Sequence, residues 1–150
     1  MVSGGGTAGT RLTIPVRYTC DGTNTTPSFR WGAVPPSTAQ LALFLFKIGP
    51  SVSGPGSASR VEATIEWAVA GLFPSIHEIP AGRLPHGAVA GSKRYSICPA
   101  KGEVGNYVFQ LNALSHPLAV KPHFEANTLF RDVESLTVAS GVFTSSYKRT

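Results

Sequence analysis

The sequence predicts a mainly β domain that carries one helix near its C-terminal end. Three observations predict it. Hydrophobic residues make up 42% of the 150-residue chain against 14% charged, and sixteen Gly and twelve Pro punctuate it. Short apolar segments with the period of a strand recur until one stretch of helical period interrupts them. The low charge and high apolar content exclude a disordered chain, and the Gly and Pro demand many turns. Folding at this length buries roughly two-thirds of the unfolded surface, enough for one independent core. One domain over residues 11–150 therefore suffices. It is preceded by a Gly-rich leader, Met1–Thr10 (MVSGGGTAGT), that reads as flexible.

Taken in order, Arg11–Val16 reads as a first strand. Cys20–Pro27 (CDGTNTTP) is a polar turn, set by Asp21-Gly22 and ended by Pro27, in which the Asp21 carboxylate is expected to accept local backbone hydrogen bonds. Phe29–Trp31 resumes extended structure until Val34, Pro35 and Pro36 stop it. Leu41–Ile48 (LALFLFKI) is an apolar run of a length that favours a strand buried on both faces. Ser51–Ser59 (SVSGPGSAS) is low in complexity and is expected to be a mobile loop. In Thr64–Leu72 the residues Ile65, Trp67 and Val69 alternate with Thr64, Glu66 and Ala68, the pattern of a strand with one apolar face. Pro74–Pro99 is rich in Pro and Gly and reads as a long irregular crossing. Tyr107–Leu114 is another internal strand. Leu129, Val133 and Leu136 recur at helical spacing, so Asn127–Ser140 reads as an amphipathic helix with Asn127 as N-cap and Gly141 as its stop. Val142–Tyr147 closes the chain as a last strand.

Several function classes are excluded or disfavoured. The formal charge is +5, but the thirteen Lys and Arg are scattered, and the densest groups, Lys93-Arg94 and Lys148-Arg149, are too short to track a phosphate backbone. Nucleic acid is therefore not an expected partner. No apolar run reaches the length of a transmembrane helix, and the leader has neither the basic nor the apolar region of a signal peptide. The compartment stays open between the cytoplasm and export with a removed signal. No phosphate-binding loop or dinucleotide fingerprint is present, so no cofactor is expected. His77, His86, His116 and His123 lack metal-ligand spacing. Without a nucleophile elbow either, the chain does not read as an enzyme, and no residue is assigned a catalytic role. Cys20 and Cys98 are the only cysteines, too few for a disulfide scaffold, although one bridge between them remains open.

From about Ile14 onward the chain resembles the phosphatidylethanolamine-binding-protein family, in its bacterial Raf-kinase-inhibitor-like branch. Tyr18–Trp31 (YTCDGTNTTPSFRW) with Val34-Pro35 is similar to the family's opening Y-T-C-D-G-x-x-x-S-P-x-L-x-W and V-P signature. Leu41–Pro50 stands where the family has an apolar strand ending in D-P-D-x-P, and Ile65–Val69 (IEWAV) stands where it has H-W-V. Ile97–Pro99 is similar to the G-P-C-P-P turn, Lys101–Phe109 (KGEVGNYVF) to K-G-x-x-H-R-Y-x-F, and Ser140–Arg149 (SGVFTSSYKR) to the closing A-x-x-L-x-G-x-Y-x-R. The resemblance implies an antiparallel β-sandwich with a small anion pocket at one end. It also places Cys20 and Cys98 in turns near that end, which favours a bridge between them.

The departures bear on function. Where the family builds its pocket from two Asp, two His and a Tyr, the matched positions are Lys47, Gly49, Glu66, Gly105 and Tyr107, so only the tyrosine is kept. Loss of both imidazoles removes anion donors, and Glu66 would repel a phosphate. The resemblance places the strands of Lys47 and Glu66 side by side, which suggests that these two form an ion pair filling the old site. The loop before Cys98 is shorter than the family's, and Lys93 and Arg94 in its remnant are candidates for replacement contacts. The expectation is a non-catalytic binding or interaction module with a degenerate pocket, of the kind that serves as a subunit of a larger assembly, whose partner is another protein. The alternative is a small-ligand binder, for a phospholipid head-group or another zwitterionic or cationic molecule, with Lys47, Glu66, Trp67, Tyr107 and Cys98 lining a modified pocket.

Overall fold

In a computed structural model of the chain, the backbone is described for residues 2–3, 12–54 and 57–150, and side chains for 13–49 and 63–150. Two sheets and a helix form three layers. The small sheet has the order β1 (Val2–Ser3), β3 (Phe29–Trp31), β6 (Glu78–Ile79). The large sheet has the order β2 (Leu12–Thr13), β9 (Thr137–Lys148), β8 (Val104–Leu114), β4 (Gln40–Gly54), β5 (Ser57–Leu72), β7 (Val89–Ala90). Every pairing is antiparallel except that of β2 with β9. Helix α1, Ala126–Leu136, covers the outer face of the large sheet.

The apolar run of β4 is buried on both faces, as its composition predicts. Leu41, Leu43 and Leu45 point between the sheets toward Phe29, Trp31 and Ile79, and are joined there by Trp67, Val69, Phe109 and Leu111. Ala42 and Phe44 point the other way, against Leu129 and Val133 of α1. The Phe130 ring meets those of Phe44 and Phe46 edge-on at 5.0 and 5.3 Å. Burying one β4 phenylalanine or leucine contributes about 1.5–3 kcal/mol, so both cores rest heavily on this strand.

The bounds of the elements depart from the sequence expectations at five places. The first strand is shortened to Leu12–Thr13, because Val16–Tyr18 winds into a 3-10 turn. Of the leader, Val2 and Ser3 pair with Trp31 and Arg30 in the small sheet, and the rest lies outside the described residues. The expected loop Ser51–Ser59 is mostly strand: Ser51 pairs with Val61, Val52 with Arg60 and Gly54 with Ser57, leaving only residues 55–56 of it outside the described residues. Backbone ladder bonds extend the hairpin without needing apolar side chains. The crossing at 74–99 contributes the two short strands β6 and β7.

The fifth departure is the helix, which ends at Leu136 rather than Ser140. The Thr137 hydroxyl donates to the Val133 carbonyl at 2.7 Å and accepts from Asn112 Nδ2 at 3.0 Å. Thr137 pairs with Leu114, which starts β9, and Gly141 lies inside that strand opposite Leu111. At the other end the cap is Glu125, not Asn127. Its carboxylate accepts from Thr128 N–H at 2.6 Å and from Asn127 Nδ2 at 3.2 Å. The Thr128 hydrogen bond, first among the causes, holds the Glu125 carboxyl below the usual carboxylate range. Any side-chain oxygen that reaches this third amide can cap the helix, and the longer Glu125 side chain reaches it from one residue before α1.

Candidate functional site

The residues singled out by sequence converge at one end of the large sheet. Lys47 on β4 lies in register with Thr64 on β5 and Tyr107 on β8. Between Leu45 paired with Trp67 and Phe46 paired with Ile65, the ladder carries one extra residue on β5, and that residue is Glu66. This β-bulge overturns the expected single apolar face, because it turns Ile65 to the helix side while Trp67 stays between the sheets. It also sets the direction of the Glu66 carboxylate.

Lys47 and Glu66 do not pair with each other. Lys47 Nζ lies 2.9 Å from Glu103 Oε1, and Glu66 Oε2 lies 3.1 Å from Lys93 Nζ, which also donates to the Ile65 carbonyl at 3.2 Å. Two separate pairs thus replace the one expected. Lys93, read as a possible anion contact, is committed to Glu66. Glu103 escaped the sequence reading because it occupies a variable position of the resembled motif. It lies just before β8, at the end of the turn in which Glu103 N–H donates to the Ala100 carbonyl at 2.9 Å, so no strand period marks it. All four side chains of these pairs are partly exposed, so each pair contributes at most about 1 kcal/mol to stability.

The space beside the pairs is filled by an aromatic ring. Tyr107 is only 2% exposed, and its ring lies over Gly105, where an added Cβ would stand 2.7 Å from the ring edge and 2.8 Å from the hydroxyl oxygen. Glycine at 105 is what lets the tyrosine fold down. Trp67 is buried behind it and meets the Tyr95 ring edge-on at 5.3 Å. The Tyr95 hydroxyl donates to the Tyr18 carbonyl at 2.6 Å.

Cys98 is bonded to Cys20, with Cα atoms 5.3 Å apart. The bridge joins the Cys20–Pro27 turn to the segment before β8, seconded by Cys20 N–H to the Ile97 carbonyl at 3.1 Å and Asn24 Nδ2 to the Tyr95 carbonyl at 3.2 Å. The Asp21 N–H donates to Thr19 Oγ1 at 3.2 Å, but its carboxylate does not accept backbone hydrogen bonds of its own turn as expected. It accepts from Tyr147 Oη at 2.6 Å and Arg149 Nε at 3.2 Å, and the tyrosine bond, the largest cause, lowers its pKa. Gly22 is required by close approach, since a Cβ there would press on the Val16 carbonyl oxygen. Pro27 is buried at the end of the turn.

Burial, followed by the charges of Glu66 and Glu103, pushes the Tyr107 phenol up to about 12, against a hydrogen bond from the Cys98 backbone that pulls it down. Burial likewise pushes Tyr95 up. A folded-state pKa above the unfolded value of about 10 means that the neutral phenols stabilise the fold fully below pH 10. That stability is lost as pH rises from 10 toward 12, at about 1.4 kcal/mol per pH unit for each phenol. Glu66→Gln is expected to bring Tyr107 down, measured by ultraviolet titration of tyrosinate absorbance. An unchanged Tyr107 would show that the Glu66 charge does not contribute to its raised pKa.

Comparison with known proteins agrees with this geometry. The family model for phosphatidylethanolamine-binding protein matches residues 5–148. A UPF0098 protein of Methanothermobacter thermautotrophicus is 30% identical over 147 residues, covering 91% of each chain. Among solved structures, the phosphatidylethanolamine-binding protein homologue CT736 of Chlamydia trachomatis superposes with a TM-score of 0.80 at 21% identity, over 99% of this chain and 97% of that one. YbcL of Escherichia coli, described as a member of the mammalian phosphatidylethanolamine-binding protein family, gives 0.78 at 20% identity, over 99% and 98%.

Proposed function

The chain belongs to the phosphatidylethanolamine-binding protein family, and within it we propose that this member is a non-catalytic binding or interaction module whose family anion site is shut. The observation that carries the reading is the Tyr107 ring lying over Gly105, where the resemblance puts a histidine. Both lysines at the site already face carboxylates. An incoming phosphate would have to displace Glu103 or Glu66, and a carboxylate left behind in a partly desolvated site repels it. No general base stands beside an activated nucleophile here, which supports a binding rather than a catalytic role. A protein partner is the occupant this reading favours, since fold alone does not set function and the family's small-ligand site is filled.

The test is calorimetric titration with inorganic phosphate and phosphorylethanolamine. The native chain is expected to release no binding heat, while a Glu66→Gln, Glu103→Gln variant, which frees Lys93 and Lys47, gains weak phosphate affinity. Tight binding of either compound by the native chain would overturn the reading in favour of a modified head-group pocket. Gly105→Ala is expected to cost about 1–3 kcal/mol by overpacking against Tyr107, read from the midpoint of urea unfolding. No loss would mean that the ring swings away freely and the site is not shut.

A further inference from the structure

A second cavity, which Lys47, Glu66 and Tyr107 do not line, lies on the other side of β8, with Ser145 of its wall directly across the ladder from Tyr107. It holds about 170 Å³, comparable with an engineered apolar void of about 150 Å³ that takes up benzene. Its walls are mostly apolar: Ile14, Pro27, Phe29, Phe109 and Phe143. Two features depart from a simple packing void. Ser145, 2% exposed, contributes to the wall, and its buried Oγ has no hydrogen-bond partner. A buried hydroxyl left unpaired is destabilising, so a group that reached it would recover that loss.

The second feature is Arg17, exposed at the rim. Its guanidinium lies over the Tyr18 ring, 4.6 Å from the centroid, and donates to the Tyr18 hydroxyl at 2.8 Å. The Arg17 carbonyl accepts from Thr25 N–H at 3.1 Å and from Thr23 Oγ1 at 3.1 Å, which pins the backbone. Among the described residues no carboxylate pairs with Arg17. The cavity therefore combines an aromatic interior, one unsatisfied hydroxyl in its buried wall and one oriented cation at its mouth.

We propose that this cavity binds a small hydroxylated aromatic carboxylate. The ring lies among Phe29, Phe109 and Phe143, the ligand hydroxyl meets Ser145 Oγ, and the carboxylate pairs with Arg17. A cation held on an aromatic face loses little freedom on meeting a carboxylate, and it selects acids over neutral aromatics. The hydroxyl at Ser145 selects among acids, because a ligand lacking it leaves the serine unpaired.

The experiment is a nuclear magnetic resonance titration of the full chain with 4-hydroxybenzoate, benzoate and benzyl alcohol, following backbone amides. Saturable shifts with 4-hydroxybenzoate are expected at Ile14, Phe29 and Phe143. Benzoate is expected to bind about tenfold more weakly, the effect of one hydrogen bond. Arg17→Gln, an exposed change, should weaken both acids about tenfold and leave benzyl alcohol unaffected, and Ser145→Ala should erase the preference for the hydroxylated acid. Absence of saturable shifts, shifts centred instead on Lys93 and Tyr107, or an Arg17→Gln chain with unchanged affinity for the acids would each overturn the proposal. The first of these would leave a cavity that holds water only.

Discussion

Replacing Cys20 and Cys98 together with serine is expected to lower stability by about 4–5 kcal/mol in the chain-entropy model, and by no less than about 2 kcal/mol once residual structure in the unfolded chain is allowed for. The size follows from the separation of 78 residues that the bridge closes, because the unfolded chain loses more freedom the longer the loop it is held in. For a domain of this size the melting temperature should fall by roughly 10 °C, measured by calorimetry. The variant should still fold. The turn keeps its hydrogen bonds from Cys20 N–H to the Ile97 carbonyl and from Asn24 to the Tyr95 carbonyl, and Asp21 keeps Tyr147 and Arg149. Heating the native chain with and without a thiol reductant supplies the same comparison without mutation. A change below about 1 kcal/mol would mean that the bridge is absent in solution or that the unfolded chain is already constrained across this span.

The fold was largely legible because its main elements announce themselves by length and period. β4 had the apolar run of a strand covered on both faces, and the structure covers it with the small sheet on one side and α1 on the other. What escaped were features in which local pattern is overridden by tertiary pairing. The run Thr137–Ser140 stands between the last residue of the helical period, Leu136, and the expected stop at Gly141, yet β8 offers it eleven residues of ladder and takes it as strand. The alternation through Ile65, Trp67 and Val69 is real in the sequence, but a single bulged residue reverses its meaning.

The placement of the singled-out residues was legible in the sequence, and their partnerships were not. Lys47, Glu66, Trp67, Tyr107 and Cys98 do gather at one end, because they share strands and turns whose order the motifs reveal. Which cation meets which carboxylate depends on side-chain direction after a bulge and on a turn at Ala100–Glu103, where Gly102 takes a φ of 82°. Neither is written in residue spacing. The second cavity had no motif at all: Arg17, Ser145 and the three phenylalanines come from four segments, and only the packing of two sheets brings them to one wall.

Trp67→Ala is expected to cost about 3–5 kcal/mol, the range for truncating a large buried aromatic, and Trp67→Phe about 1–2 kcal/mol. The reasoning separates two roles that one residue could serve. A tryptophan lining an open ligand pocket would be partly exposed, and its loss would show mainly in binding. Trp67 is 3% exposed, sits across the ladder from Leu45 and presses its ring against the edge of Tyr95. Its removal should therefore unfold the domain at lower urea without creating any phosphate binding. The void would also admit water toward Tyr95 and Tyr107, whose raised pKa values come first from burial. Their titration should accordingly move down toward the value of a free phenol, and the alkaline loss of stability, which begins near pH 10 in either chain, should be smaller and end sooner. If Trp67→Ala cost under about 1 kcal/mol with the tyrosine titration unmoved, the end of the sandwich would be open and rearrangeable, and the shut-site reading would fall with it.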